Sequence, residues 1–294
     1  MAMDYALKYL NYFDDIYKRE SVTRILETDP IQYEFKGANQ VLVNKITVSG
    51  NSDYNKATGY AAGSVANEFD AYSLAMDRGL KIPLDAVDSE EALVTAMKVQ
   101  DSYLREKFFP ELDLYRFTKI YYDINASGVS GTNIVEGTPD EDTVINDIDA
   151  GIELLDDAEV PKMGRVIFIS ENTYRMLKNS GEFYKTRVAT EKSTILNREV
   201  DSLDGHFLIR VPSTRFNTAA TFDAGSNSLT GTSINFMIAH IPAIMAIIKR
   251  NVLRIFTPEQ NLDSDGFLMT ARQYHGCNVY ENKVAGVYIN KRAA

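Results

Sequence analysis

Cysteine and histidine are scarce in this sequence of 294 residues. It contains one cysteine, Cys277, and three histidines. A lone cysteine cannot form an internal disulfide, which excludes a disulfide framework and favours a reducing compartment or a protein indifferent to redox state. Few residues are therefore available for thiol or imidazole chemistry.

Positive charge is also in short supply. Lys and Arg number 31 against 41 Asp and Glu, which gives a formal net charge of -10. The chain as a whole thus lacks the positive balance with which proteins bind phosphate backbones. We expect any contact with nucleic acid to use local patches or enclosure of the nucleic acid.

Long apolar runs are missing as well. No stretch reaches the roughly eighteen apolar residues that a membrane span needs. The N-terminal stretch MAMDYALKYLNYFDDIYKRE carries charges throughout, unlike the apolar core of a signal peptide. We therefore expect a soluble, unsecreted protein, made in the cytoplasm and without a membrane partner.

Common catalytic motifs are not found: the sequence has no GxxxxGK[ST], HExxH, GxSxG or CxxC. The remaining candidate is His275 with Cys277, two apart on a predicted strand and so on the same side of it. Metal sites need three or four ligands, and a thiol nucleophile needs a base and an orienting group. Only His206 and His240 could complete such a set. We favour a structural role, no enzyme and no cofactor; a metal or thiol enzyme using His275 and Cys277 is the alternative.

The stretch NLDSDG resembles the opening of a calcium-binding loop. Asn261, Asp263, Asp265 and Gly266 have the required spacing, but the twelfth position is Arg272. Because that position must supply a bidentate carboxylate, we expect a solvated turn and no bound metal.

Helical spacing and strand-like runs divide the first third of the chain. Aromatic residues recur every three or four positions up to the TDP at 28–30, which predicts an amphipathic N-terminal arm. QVLVNKITV and AYSLAMDRGLKIPL then predict two strands around the polar stretch SGNSDYNKATGYAAGSVAN. This pattern indicates an extended hairpin with a long loop, which usually has a function or a partner.

A helix is predicted to begin at a capping box formed by Asp88 and Glu91. The predicted helix has one apolar face, formed by Leu93, Met97, Leu104 and Phe108. Pro110 predicts a kink or break before a second helix. After a turn-rich joint, alternating helix and strand patterns predict an α/β or α+β unit over about 137–232, and strand-like runs complete the chain.

Few catalytic groups, a long hairpin and a separate arm favour a protein that assembles with copies of itself. Several blocks support this: YEFKGANQVLVNKI, DRGLKIPLD, FFPELDLYRF, IRVPSTRF, and the ending NFMIAH through YHGCNVYENKVAGVYIN. In the same order, these resemble blocks of the major capsid proteins of tailed bacteriophages. The resemblance spans residues 33 to 290.

The resemblance implies an α+β fold of the Hong Kong 97-like capsid type. It implies an N-terminal arm at 1–32 and an E-loop hairpin at 33–84. A peripheral domain at 85–135 and 248–294 would contain a long spine helix at 88–109, and an axial domain would occupy 136–247. Both strands around ENKVAG would then lie in the peripheral domain, with Cys277 a small side chain in a sheet.

The implied function is structural. The chain would assemble into pentamers and hexamers of an icosahedral shell around double-stranded DNA, without reading its sequence. Each E-loop would lie across a neighbouring subunit. Because the chain opens almost directly on the arm, a separate scaffolding protein or a shortened chain is expected, and a portal is expected too. The location would be the virion capsid, assembled in the host cytoplasm. An encapsulin-like nanocompartment is the alternative within this fold.

Two groups of residues are candidate assembly contacts. The first, in the E-loop, comprises Tyr54, Lys56 and Tyr60; the second, near the second helical segment, comprises Glu111, Asp113 and Arg116. A solvated helix face is the alternative for the second group. Some relatives crosslink a lysine to an asparagine, but no motif assigns such a bond to Lys56 with Asn278 or Asn282.

Overall fold

The computed structural model of the chain describes residues 21–27, 34–36, 39–54, 56, 59–60, 62–85, 100–101, 103–128, 130–181, 200–223, 226–261 and 266–293. Most of the predicted N-terminal stripe, and the predicted helical positions before residue 100, lie outside these ranges.

Strands dominate the described residues. In chain order they are β1 Glu34–Lys36, β2 Gln40–Val48, β3 Val65–Ser73, β4 Met76–Asp85, β5 Ile134–Gly137, β6 Arg165–Ser170, β7 Ser202–Leu203, β8 His206–Val211, β9 Ala220–Asp223, β10 Ser226–Leu229, β11 Ile234–His240, β12 Ile244–Phe256, β13 Gly266–Val279 and β14 Val287–Arg292. The α-helices are α1 Phe109–Ala126, α2 Ser130–Asn133, α3 Val144–Asp157 and α4 Glu171–Asn179. This mixture confirms the predicted α+β class.

A six-stranded sheet, in the order β5-β14-β11-β6-β8-β7, forms the centre of one unit. Its strand β6, RVIFIS, is buried at every position because helices cover both faces. Ile167 and Ile169 point towards α3 and α4 in one apolar cluster. Val166 and Phe168 alternate with them and point towards α1 in a second cluster. The helix and strand patterns of this region correctly predicted these elements.

A three-stranded sheet, in the order β12-β13-β4, packs one face against α1. The two strands around ENKVAG belong to different sheets, because β13 pairs with β12 while β14 pairs with β11 in the six-stranded sheet. Residues Val287 to Asn290 are all buried. A strand buried on both faces is stable only inside a covered sheet, which explains its position.

The strand β2 coincides with the predicted QVLVNKITV, and the loop that follows it is shorter than predicted because β3 begins at Val65. The predicted second strand is in fact two, β3 and β4, which belong to different sheets. Leu74, buried between them, marks the change of sheet. Residues of β3 are mostly exposed on both faces, so its sequence lacks the apolar alternation from which strands are predicted.

At Pro110, where a kink or break was predicted, the helical backbone does not break but changes from a π-helical to an α-helical turn, and it continues past residue 109, the predicted end of the spine helix. A π-helical turn, Leu104–Phe108, runs directly into α1. Pro110 has no N–H to donate to the preceding turn, and the wider π-helical turn accommodates the missing bond. In the described part of the chain, no helix is both long enough and apolar enough to cross a bilayer.

Candidate assembly surfaces

One face of the β2–β3 hairpin is apolar and exposed. The register places Val48 opposite Val65, and two residues away Ile46 lies opposite Asn67. Phe69 continues the same face opposite Asn44. The exposed fractions of Ile46, Val48, Val65 and Phe69 are 62%, 66%, 70% and 61%. We call these four side chains the hairpin face. Exposed apolar side chains grouped in this way make the hairpin face a candidate interaction surface.

The base of the hairpin is fixed to the three-stranded sheet. Val41 and Leu74 pack against Met245 and Ile247 of β12 in one buried cluster. The Tyr274 hydroxyl donates a hydrogen bond to the Leu74 carbonyl oxygen at 3.0 Å. The hairpin therefore projects from a fixed base, with its apolar face uncovered.

Two aromatic rings meet at the far end of the hairpin. Tyr54 and Tyr60 stack edge to face with ring centroids 5.0 Å apart, and Tyr60 is 91% exposed. Gly59 between them has a φ of +81°, a conformation that favours glycine. Lys56 is exposed nearby in the sequence. Tyr54 and Tyr60 thus lie together at an accessible end, and the role of all three residues in assembly stays a prediction.

The predicted contacts on α1 are in a different environment. Asp113 is fully buried. Its carboxylate accepts hydrogen bonds from the Ser21 hydroxyl at 2.7 Å and from the Thr23 hydroxyl at 2.7 Å. It also accepts from the backbone N–H groups of Val22 and Thr23, both at 3.2 Å, and from Arg215 at 3.1 Å. One carboxylate thus binds the whole turn that precedes residue 24.

Arg116 completes this anchor one helical turn later. Its guanidinium, fully buried, donates to the Thr23 hydroxyl oxygen at 2.9 Å and to the Glu27 carboxylate at 2.9 Å. Leu26 between them is buried in the main core. Residues 21–27, which we call the anchor segment, are therefore held on α1 by buried charges. Neither Asp113 nor Arg116 lies on a solvated helix face.

Glu111 lies apart from the anchor and forms an ion pair with Arg78 of β4. Among the described residues, no hydrogen bond or ion pair joins Glu111, Asp113 or Arg116 to the hairpin end. Sequence reasoning missed the partners Ser21 and Thr23. A run of hydroxyl residues, SVT at 21–23, was the available signal.

His275 and Cys277 are core residues. The Cys277 side chain is fully buried, and burial raises the pKa of its thiol to about 12. Burial, with the charges of Arg116 and Arg78, lowers the pKa of His275 to about 3. At neutral pH both side chains are uncharged, so the thiol is not activated as a thiolate and neither group titrates near neutral pH. His206 and His240 lie in the other sheet.

Cys277 is expected to be unreactive in the folded protein. A disulfide reagent at pH 8 should modify it at least about 100-fold more slowly in buffer than in denaturant, because only the accessible thiolate reacts. In the folded protein the pKa of the Cys277 thiol is raised from 9.0 to about 12. The buried thiol therefore contributes fully to the stability of the fold below pH 9, and this contribution is lost as the pH rises towards 12. Equal rates in both solvents would contradict this burial.

The two remaining sequence features have structural roles. Arg272 lies in the middle of β13 and binds Asp77 through two hydrogen bonds, so it cannot close a calcium loop. Asn278 is buried, and its amide donates to the Ser73 carbonyl oxygen at 3.3 Å. Within the described ranges, no group of three His, Cys, Asp or Glu side chains converges as a metal site.

An open groove of about 490 Å³ lies between α3 and residues 132–133 and 285. Ala150, Leu154 and Ala158 form its apolar part, and Glu153 and Asp157 are its charged residues. These carboxylates are four residues apart on one helix and are both exposed. Such spacing is typical of a solvated helix face.

Comparison with known proteins gives matches among solved structures. No protein-family model and no curated protein matches the sequence. The asymmetric unit of the bacteriophage PhiM1 mature capsid aligns with a TM-score of 0.63 and 12% identity, covering 87% of this chain and 82% of that chain. The capsid of the cyanophage P-SCSP1u aligns with a TM-score of 0.61 and 11% identity, covering 88% of this chain and 85% of that chain. The capsid of an empty GTA particle, computed with C5 symmetry, aligns with a TM-score of 0.54 and 14% identity, covering 94% of this chain and 97% of that chain.

These similarities extend over most of every chain compared. They confirm the predicted fold: the chain has the Hong Kong 97-like capsid architecture, despite the low sequence identity.

Proposed function

We propose that this chain is the major capsid subunit of a tailed bacteriophage and that it assembles with copies of itself into a closed shell. The observation that carries the proposal is the hairpin face, an exposed apolar surface on an element that projects from the fold found in phage capsids. A structural role also agrees with the uncharged, buried state of the thiol and imidazole pair.

The geometry of the hairpin supports a contact between copies. Each of its long strands has nine residues, which span about 30 Å at 3.3 Å per residue. An element of this length reaches well beyond its own base. A contact between different surfaces of successive copies is head-to-tail, and such contacts close into rings when the rotation allows. We therefore assign the hairpin face to a neighbouring subunit in a pentamer or hexamer.

The anchor segment supports the second part of the proposal. Residues 21–27 are held on α1 by Asp113 and Arg116, so any arm formed by the residues before them begins at a fixed point. We assign these two side chains an indirect role in assembly, because both are buried within their own chain. Tyr54, Lys56 and Tyr60 keep the direct role.

We adjust the domain boundaries implied by the resemblance so that they follow the observed sheets. We retain the arm at 1–32, begin the peripheral domain at β4, and add β14 to the axial unit because it pairs with β11. The remaining partners are a scaffolding protein, a portal and packaged double-stranded DNA, which the shell would enclose without sequence-specific contacts. The proposed location is the virion capsid, with assembly in the host cytoplasm.

Electron microscopy tests the proposal. Purified protein, separated by size and then concentrated about tenfold, is expected to form closed shells or rings of five or six in negative stain. Coexpression with a scaffolding protein from the same phage genome should raise the yield. A protein that remains monomeric or dimeric under both conditions would contradict the proposal.

A further inference from the structure

The outer face of the three-stranded sheet carries an unusual charge for this acidic chain. Side chains alternate along β13, and those at odd-numbered positions such as Cys277 pack towards α1. The even-numbered positions from 268 to 274 point away from α1, together with the residues that pair with them on β12 and β4. This surface spans about 10 Å across the strands and about 20 Å along them.

Four register rows of this surface contain four cations and one carboxylate. The cations are Lys81, Arg250, Arg254 and Arg272, and the carboxylate is Asp77. The formal charge is therefore 4 − 1 = +3, within a chain whose net charge is -10. All four cations are exposed. We call these rows the basic face.

Asp77 does not neutralise the basic face. Arg272 holds it through two hydrogen bonds of 3.0 and 2.7 Å, and these bonds lower the pKa of the carboxyl. Arg250 and Arg254 lie on the neighbouring strand in the rows on either side of Arg272. Their guanidinium groups are suited to bidentate binding of carboxylates.

The chain's own hairpin covers only the other half of the same sheet surface. Met245 and Ile247 continue the even-numbered rows and are buried under Val41 and Leu74. Tyr274 lies at the edge of this covered area. Leu268 in the first row is buried, whereas the cations in the other three rows are exposed. These three rows thus continue a surface that already packs against protein.

We infer that the basic face is the electropositive half of a contact between copies of this chain, and that an acidic surface of a second copy covers it. This inference rests on the proposed function. Subunits with a charge of -10 repel one another unless a positive surface of one meets a negative surface of the next. Acidic surface is present on every copy: residues 140–159 contain nine Asp and Glu and no Lys or Arg, and of these Asp156 is ion-paired with Lys162 and Arg165.

Charge arithmetic favours a second copy over DNA. A face of charge +3 neutralises about three phosphates. A plot of the logarithm of the DNA-binding constant against the logarithm of the salt concentration would then have a slope of only about −2.7 per subunit. Proteins that hold duplex DNA firmly make about six to ten phosphate contacts. A carboxylate surface of similar size, by contrast, can match the basic face charge for charge.

The test reverses two exposed charges. Arg250→Glu with Arg254→Glu changes the face from +3 to 3 − 4 = −1. The assembled fraction in 0.1 M salt, measured by light scattering and microscopy, is expected to fall at least about tenfold. Arg250→Lys with Arg254→Lys should retain assembly within about threefold. The matched control, Arg175→Glu with Arg292→Glu, makes the same change in net charge at exposed positions elsewhere and should assemble normally.

The outcomes separate the inference from the proposed function. All three double variants should keep the circular dichroism and melting temperature of the wild type, because the changed side chains are exposed. Normal shell yield from Arg250→Glu/Arg254→Glu overturns the inference alone. Normal yield with loss of copurifying DNA also overturns it and assigns the face to a polyanion. If the wild type itself forms no rings or shells, the proposed function fails and the inference fails with it.

Discussion

Replacing Asp113 with alanine is expected to destabilise the fold by about 3–5 kcal/mol, the cost of breaking a buried charged network on one side. The substitution leaves Ser21 and Thr23 without their acceptor and leaves Arg215 without its carboxylate. Unpaired donors in a dry interior carry the full cost of desolvation. Urea unfolding, followed by circular dichroism, measures the loss directly. Trypsin should also cut faster after Arg24, because the anchor segment is released.

Two further variants make this result specific. Asp113→Asn keeps the shape but loses the charge, so it should lie between the wild type and Asp113→Ala. Asp101→Ala removes an exposed carboxylate that pairs with Arg105 four residues away, and it should cost less than about 1 kcal/mol. A loss of less than about 1 kcal/mol in Asp113→Ala, with unchanged cleavage after Arg24, would contradict the anchor.

Charges on the hairpin face are expected to abolish assembly without unfolding the chain. Val48→Asp with Phe69→Asp places two carboxylates where apolar side chains are 66% and 61% exposed. Burying each apolar side chain in a contact stabilises it by about 1.5–3 kcal/mol. Losing two per contact lowers pairwise association at least about 100-fold. Sedimentation velocity should show subunits in place of large particles, at an unchanged melting temperature.

The control for this variant uses the opposite face of the same strands. Thr47→Asp with Ala66→Asp adds the same charge at exposed positions that face each other across the hairpin. These residues alternate with the hairpin face, so assembly should be reduced far less. Normal particles from Val48→Asp/Phe69→Asp, or loss of particles from the control alone, would show that the contact uses another surface.

Apolar patterning was sufficient to predict the interior elements. The run RVIFIS has the apolar pattern of a covered strand, and the helix ENTYRMLKN is capped by Ser170, whose hydroxyl oxygen accepts from the N–H of Thr173. These local rules hold because the core decides the structure of both segments. The ordered resemblance of several blocks then predicted the architecture as a whole.

Long-range partners could not be predicted in the same way. Asp113 and Arg116 have the sequence context of an exposed amphipathic helix, and only folding brings Ser21 and Thr23 to them across about ninety positions. The first residues of β3 were predicted as loop because this strand is exposed on both faces and lacks an apolar alternation. The position of β14 depended on which sheet could bury it, which is a property of the complete fold.

A cryo-electron microscopy reconstruction of the assembled particle is the most direct test of the central claim, that this chain closes a shell through its projecting hairpin. The account predicts an icosahedral shell of fivefold and sixfold rings, in which Ile46, Val48, Val65 and Phe69 of each subunit are buried against a neighbour. A shell in which these four side chains remain exposed, or an assembly without such rings, would contradict it.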